Sequence, residues 1–594
     1  MTAYTSAASG DCNVGATWSP SGVPTNADTV SIGAHTITVP NGVTFNPGAM
    51  SLTGTGTSTR AQITVAAGGI LQLGGAVTIN AWNKITLNGN AQWDLNGYTV
   101  SYTVGGTSAN NKIIVAGSST DYAVIKGVGG VVQFSDTTPA PGELDMQYCL
   151  LRDIAFAYGG SYYAGSPFNV RDVVMYAAGY FRTYAYTHNN SDWIFERVDI
   201  RDSISTNGAD EICRILLERS AAGGTGLRRL RDVTVDCLGG TAQRFRVQRL
   251  DFEAVNLISK GANFEFVSAL AGNQLTNCFF NLSTTSGSSL GSGAVVIDAC
   301  YMYSAGVNPH TCENLGTTIK NGVIEATYPP GTLDAGDHFP VKAGTNLTVD
   351  KMLIIDGWGG VMFNALGGVV VTSPTGTHNT IIADSHIAIY GVLARNETGG
   401  TYSGTTTLQS NLCYVRNNET GSSDLRAINI ETSGNDQIDV MDYNAYYGFG
   451  SNEAVIYYQV TSATKSIGDS GYGLNDMLNV NPNFVDDTRG LASWQSTQNG
   501  GGDADDAITA LLLNNGYNGT THMQDASAAT NIDIGAMVTW VRDGFAPTNI
   551  IYQNAGHDGV TIGAIEYVSA AGIAGITSSR ITSGITRQGI TSRI

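Results

Sequence analysis

The residues best placed to do chemistry are acids. Asp199, Asp202, Asp210 and Glu211 fall in one short stretch, with Arg197, Arg201 and Arg214 interleaved. Glycoside cleavage needs two carboxylates, one to protonate the leaving oxygen and one to act as base or nucleophile. Lyase chemistry needs a base that takes a proton α to a carboxylate and a cation that stabilises the charge left behind, so an Arg beside an acid supplies both parts. The same interleaving also describes a solvated face whose charges neutralise one another, and this plainer reading takes precedence. The run Arg228-Arg229-Leu230-Arg231 with Asp232 is read the same way.

Other acids have local explanations. Asp505-Asp506 falls in the first turn of a predicted helix that Asp503 caps, with Ile508, Leu511 and Leu512 on one face and Gly516 as its stop. Gly556-His557-Asp558 reads as a turn, because Asp and flanking Gly are turn formers. The Cys residues at 12, 149, 213, 237, 278, 300, 312 and 413 form no CxxC pair, and no His cluster accompanies them. They are expected to act as small buried hydrophobes, with no metal site and no cofactor. The sequence carries no phosphate loop, GxSxG or HExxH, and no Gly-Gly-x-Gly-x-Asp repeat of the kind that stacks Ca²⁺ sites.

Two further groups point to surfaces rather than reactions. Tyr158, Tyr162, Tyr163, Tyr176, Tyr180, Phe181, Tyr184, Tyr186 and Trp193 lie close together in sequence. Such rings stack on sugars, are enriched at subunit interfaces, or simply pack on a surface with hydroxyls in water, and residue type leaves all three open. At the end of the chain Ile-Thr recurs at Ile576, Ile581, Ile585 and Ile590, with Arg580, Arg587 and Arg593 between and no acid after Glu566. Residues 569–594 are expected either to be disordered or to order on a partner or on their own copies as an extended docking tail.

These groups must be carried by something, and the sequence has a recurring beat. Val30-Ser31-Ile32, Ile37-Thr38-Val39, Ile63-Thr64-Val65, Leu71-Gln72-Leu73, Val77-Thr78-Ile79 and Ile85-Thr86-Leu87 are brief apolar–polar–apolar strands separated by Gly or Asn. Strands this short are stable only when stacked, which predicts an all-β solenoid. Residues 1–105 hold only Asp11, Asp28, Arg60, Lys84 and Asp94 as charged groups and read as regular coils. Residues 106–449 read as longer coils, each marked by an Asx or charged residue: Asp172-Val173, Arg197-Val198, Asp232-Val233, Asn256-Leu257 and Asn277-Cys278. The apolar positions Val173, Val198, Val233 and Val255 are taken as equivalent. Residues 450–568, with one short helix, are expected to cover the exposed end of the stack.

Charged residues are 13% of the 594, about half the usual share, and hydrophobic residues are 42%, too many for a disordered chain. The net charge of −19 argues against nucleic acid as a partner. No stretch is apolar enough to insert in a membrane, and the first 25 residues lack Lys, Arg and any long apolar run, so an ordinary secretory signal is not expected.

The coil units, together with Asp442-Tyr443-Asn444-Ala445-Tyr446-Tyr447-Gly448, resemble the right-handed parallel β-helix, or pectin-lyase-like, superfamily, and Asn481-Pro482-Asn483-Phe484-Val485-Asp486 resembles its closing segment. Thr17-Trp18-Ser19 with Gly22-Val23-Pro24-Thr25 resembles the opening coil of bacterial and phage surface β-helices. Asp533-Ile534-Gly535-Ala536, Gly544-Phe545-Ala546-Pro547-Thr548-Asn549, Gly556-His557-Asp558-Gly559 and Ile562-Gly563-Ala564 resemble the C-terminal region of β-helical proteins of tailed bacteriophages. The resemblance implies a virion structural protein made in the host cytoplasm. It would be a homotrimeric tailspike, tail fibre or head decoration that joins other virion proteins through its tail and meets host surface polysaccharide. The alternative it implies is a polysaccharide depolymerase. The Asn-Thr-Asp, Asp-Asp, Gly-His-Gly and Arg-Ile-Lys series of polygalacturonase-like members does not occur in that order. A bacterial adhesin is a third class, disfavoured by the expected lack of an export signal.

Overall fold

A computed structural model describes residues 1–104 except 57 and 81, the strands and tight turns between 111 and 465, and residues 473–498 and 534–565. The alternation of β-branched and polar residues does what it predicts. Ile37, Ile63, Ile85 and Ile113 pair in register in successive parallel strands, as do Val39, Val65, Leu87 and Val115. All of them are buried. Each such side chain removed from water contributes about 1.5–3 kcal/mol, so a coil gains its stability from the coils above and below it. Three columns of this kind wind around one core, which makes the chain a parallel β-helix. The opening coil is closed by Trp18, whose indole N–H donates to the Cys12 carbonyl at 2.8 Å and whose ring stacks on Phe45 at 5.7 Å.

The corners explain the conspicuous Asx and charged residues. Asp172, Arg197, Asp232, Asn256, Asn277, Ala299, Asn321, Lys351, His378, Ser410 and Tyr443 all have φ between 52° and 61°. One left-handed residue turns the chain sharply between two strands, and Asn and Asp tolerate that conformation best among residues with a side chain. The next residue points inward. Because a single residue makes the bend, hydrogen bonding continues across it: Gly142–Gly160 is one paired stretch that bends at Tyr148 and Asp153. The buried column therefore runs Val173, Val198, Val233, Leu257 rather than through Val255. Val255 precedes the corner and pairs with Arg231, and Thr234 pairs with Ile258 just after it. The equivalence expected for Val255 is thus displaced by two positions, one full period of a strand.

The inward residue at this corner changes chemistry along the stack. Cys278 N–H donates to Cys300 Sγ at 3.3 Å and Gly322 N–H to Met352 Sδ at 3.1 Å. Then amides take over. Met352 N–H donates to Asn379 Oδ1 at 3.0 Å, Asn379 N–H to Asn411 Oδ1 at 3.1 Å, and Asn411 N–H to Asn444 Oδ1 at 3.0 Å. Asn444 N–H ends the series on Asp476 Oδ1 at 2.7 Å. A corner amide would otherwise be buried without a partner, and each coil's side chain supplies one to the coil before it. Among the described cysteines, Cys12, Cys149, Cys278, Cys300 and Cys413 are buried thiols, and burial pushes those of Cys12 and Cys413 up to about 12.

After the last strand of the stack, Met477–Leu478, the chain turns back. Helix α1 (Leu491–Gln498) and helix α2 (Ile534–Gly544) lie against the flank of the coils. Ile534, Met537, Val538 and Val541 recur at helical spacing and pack with Leu491, Trp494 and Phe545 on Phe279, Tyr301, Val323, Leu353 and Ile382. These coil residues point away from the main core, so their strands are apolar on both faces. The expected cover for the end of the stack is, over residues 480–498 and 534–565, a strap along its side. The helix expected after Asp503 lies outside the described residues.

Candidate functional site

Of the acids Asp199, Asp202, Asp210 and Glu211, the structure describes Asp199 alone. Asp199 is half-buried in the strand Trp193–Arg201, paired between Val174 and Thr234. Arg214 falls in the strand Cys213–Arg219, and Asp202, Asp210, Glu211 and the pair Asp505-Asp506 lie outside the described residues. The neighbouring charges form ladders between coils. Arg197 makes a two-pronged contact with Asp172 at 2.6 and 2.9 Å and also touches Glu196, while Arg171 faces Glu196 at 3.5 Å. Arg229 and Arg231 both reach Glu253 at 3.2 Å. Of the aromatic group, Tyr158 falls in Gly142–Gly160, Tyr180 and Tyr184 in Tyr180–Ala185, and Trp193 opens its strand. Backbone pairing sets Gly159 beside Tyr184 and Ala155 beside Tyr180. Tyr162, Tyr163 and Tyr186 lie outside the described residues, as does the whole tail from Ile576 to Arg593.

The densest described cluster of titratable groups lies where the strap crosses the corner column. His378 and Ser410 are corner residues of neighbouring coils, held by the buried rungs Asn379 and Asn411 that follow them. The strap presents the turn Gly556–Val560, closed by Gly556 N–H to the Val560 carbonyl at 2.7 Å. His557 N–H donates to Ser410 Oγ at 2.9 Å, and the same hydroxyl lies 3.0 Å from His557 Nδ1. His378 is buried between two carboxylates. Its Nε2 is 3.1 Å from Asp558 Oδ1 and its Nδ1 is 3.5 Å from Asp350 Oδ1. The His378 and His557 rings are 5.2 Å apart. Gly563 N–H on the Ser410 carbonyl and Ala564 N–H on Thr380 Oγ1, both at 2.8 Å, continue the seam.

Charge and burial oppose each other here. Burial alone lowers the His378 pKa, but the hydrogen bonds and charges of Asp350 and Asp558 outweigh it and hold the imidazolium above its ordinary value. Asp350 and Asp558 respond in the opposite sense: burial raises both, yet contact with His378 brings them below the usual carboxylate range. A cleft of about 250 Å³ adjoins the seam, lined by Lys351, His378, Arg542, Asp543 and Thr561. Arg542 is spent on main-chain carbonyls: Asn321 at 2.9 Å, Lys351 at 3.0 Å and Ala564 at 2.8 Å. Farther along the strap, Leu491 N–H donates to Glu325 Oε2 at 2.8 Å, and burial pushes the Glu325 carboxyl up.

This geometry makes a clasp. Two carboxylates do flank the site, but the His378 ring fills the space between them that a glycosidic bond would need. Ser410, hydrogen-bonded to the strap, is buried and offers no accessible nucleophile. Gly556-His557-Asp558 is the turn expected from its residues, but its partners His378 and Ser410 carried no signal in the sequence. No protein-family model, no curated protein and no solved structure matches the chain.

Proposed function

We propose that this chain is a rigid structural component of a bacteriophage particle, a trimeric β-helical tailspike, fibre or head decoration. The observation that carries the mechanical part is the stack of paired coils, in which from Met352 to Asn444 each coil's side chain supplies the hydrogen-bond acceptor for the corner of the coil before it. Such a rod resists bending and proteolysis because every local opening exposes two neighbours as well. The resemblance of the segments at 533–536, 544–549, 556–559 and 562–564 to phage β-helical proteins supports the particle. The charged ladders on Arg197 and Glu253 support a surface that is not a carboxylate-pair active site. Residues 569–594, with Ile576, Ile581, Ile585 and Ile590, would lock the trimer or dock it.

The test is immunogold labelling of purified particles with an antibody to the strap, beside incubation of the purified protein with host surface polysaccharide. Label on particles and no shortened polysaccharide is the expected outcome. Absence from particles overturns the proposal, and catalytic release of oligosaccharides replaces it with a depolymerase. Deletion of 569–594 should leave a folded body that light scattering finds monomeric or that no longer joins particles.

A further inference from the structure

We propose that His378, His557 and Asp558 form a site for one divalent transition-metal ion of the zinc class, which fastens the C-terminal strap to the corner of the solenoid. Each residue offers one ligand atom, and the three atoms lie within 4.8 Å of one another. In a tetrahedral site with bonds of about 2.0–2.1 Å, ligand atoms stand about 3.3 Å apart. His378 Nε2 and Asp558 Oδ1 already stand 3.1 Å apart, close to that spacing. His378 is buried on a rigid corner, while His557 and Asp558 are exposed on a turn, so the movement needed to close the third ligand falls on that turn.

The surroundings are those of a metal site. Nδ1 of His378 faces the Asp350 carboxylate at 3.5 Å, and that carboxylate is itself held by Thr377 Oγ1 at 2.8 Å. Nδ1 of His557 is engaged by Ser410 Oγ at 3.0 Å. Each ring is thus held through its Nδ1, and Nε2 is the nitrogen the proposal assigns to the ion, the arrangement that fixes the tautomer of metal-ligating imidazoles. Two imidazoles and one carboxylate suit Zn²⁺, Co²⁺, Ni²⁺ or Cu²⁺ and are poor company for Mg²⁺ or Ca²⁺, which prefer oxygen. Three protein ligands leave a fourth position for water. Because His378 and Asp558 are 180 residues apart, the ion would bridge solenoid and strap, and its binding energy would go into holding them together.

The experiment uses untagged full-length protein, Zn²⁺ and Co²⁺ salts, and a pH above neutrality, where imidazoles are neutral ligands. The expected results are one Zn²⁺ per chain by calorimetry, visible Co²⁺ absorption bands of a tetrahedral site, slower proteolysis of the strap, and no effect of Mg²⁺ or Ca²⁺. His557→Ala and Asp558→Asn, both on the exposed turn, should stay folded by circular dichroism. Each should bind at least about tenfold more weakly and lose the proteolytic protection, and Asp350→Asn should weaken binding as a positioning residue. Absence of saturable Zn²⁺ binding, or binding unchanged in both turn variants, overturns the proposal.

Discussion

Asn411 is the middle rung of the buried amide ladder, and replacing it with Leu is the sharpest test of how the later coils are held. Leu is close in volume, so little space is opened. What is lost is four hydrogen bonds. Asn411 Oδ1 accepts from Asn379 N–H at 3.1 Å and from Asn379 Nδ2 at 2.9 Å. Its Nδ2 donates to the Gly376 carbonyl at 2.9 Å and to Asn444 Oδ1 at 3.0 Å. Each bond contributes about 1 kcal/mol net, and a main-chain N–H left buried without a partner costs about 1–3 kcal/mol. Asn379 Nδ2 keeps the Val349 carbonyl, and Asn444 Oδ1 keeps Asn411 N–H, which limits the loss to about 4 kcal/mol. Denaturant melts should show that destabilisation, and hydrogen exchange should place it in the coils of Asn379 and Asn411, because a solenoid transmits damage mainly to neighbours. Asn475→Ala, which removes the 2.8 Å contact from Asn475 Nδ2 to Asp442 Oδ2 at an exposed turn and keeps the main-chain N–H on Asp442 Oδ1, is the control and should change stability by less than about 0.5 kcal/mol. A loss under about 1 kcal/mol for Asn411→Leu, or exchange unchanged in those coils, would refute the ladder as a source of stability.

Burial raises the Asp476 carboxyl to about 6, despite the Asn444 N–H and Tyr446 hydroxyl that favour its charged form. Stability from this group is complete below its unfolded value near 4, falls as pH rises to about 6 and is level above, with a total loss of about 2–3 kcal/mol. Asp476→Asn should therefore melt higher than the wild type at pH 8 and lose that advantage at pH 4. Ala299 sits at a left-handed corner with φ 53°, so Ala299→Gly should raise stability by about 0.5–1 kcal/mol in the same melts. Arg542→Met keeps the side-chain stem but gives up three carbonyl contacts; cleavage within residues 534–565 should quicken by more than about tenfold while the coils stay protected.

Particular residues show how far the sequence could be read. Ile37, Ile63 and Ile85 announce the stack because burial on one face imposes a strict period of two. Asp172, Arg197, Asp232, Asn256 and Asn277 stood out as a recurring residue type, yet their left-handed conformation is a property of φ that composition does not print. That gap allowed Val255 to be set beside Val233, since a slip of two preserves the pattern. The flank covered by the strap left a trace in Phe279-Phe280, Val323-Ile324 and Ile381-Ile382, where apolar neighbours break the alternation and mark strands buried on both faces. The His378–Asp558 contact left no trace, because it joins segments 180 residues apart; Asp558 is legible only as part of the turn Gly556-His557-Asp558, and His378 belongs to no local motif. The acid group at Asp199–Glu211 and the aromatic group at Tyr158–Trp193 were legible as residue types only. What those side chains touch depends on the coil loops, whose course the strand period does not set.

The column from Thr44–Phe45 to Met477–Leu478 advances through sixteen successive strand pairings. At about 4.8 Å per pairing it should extend roughly 77 Å. Electron cryomicroscopy of the purified protein, at a resolution that separates strands, measures this directly. The account predicts layers spaced by about 4.8 Å along one axis, with α1 and α2 against one flank. Density for compact lobes of antiparallel sheet, or for both helices lying only across the tip of the stack, would contradict it.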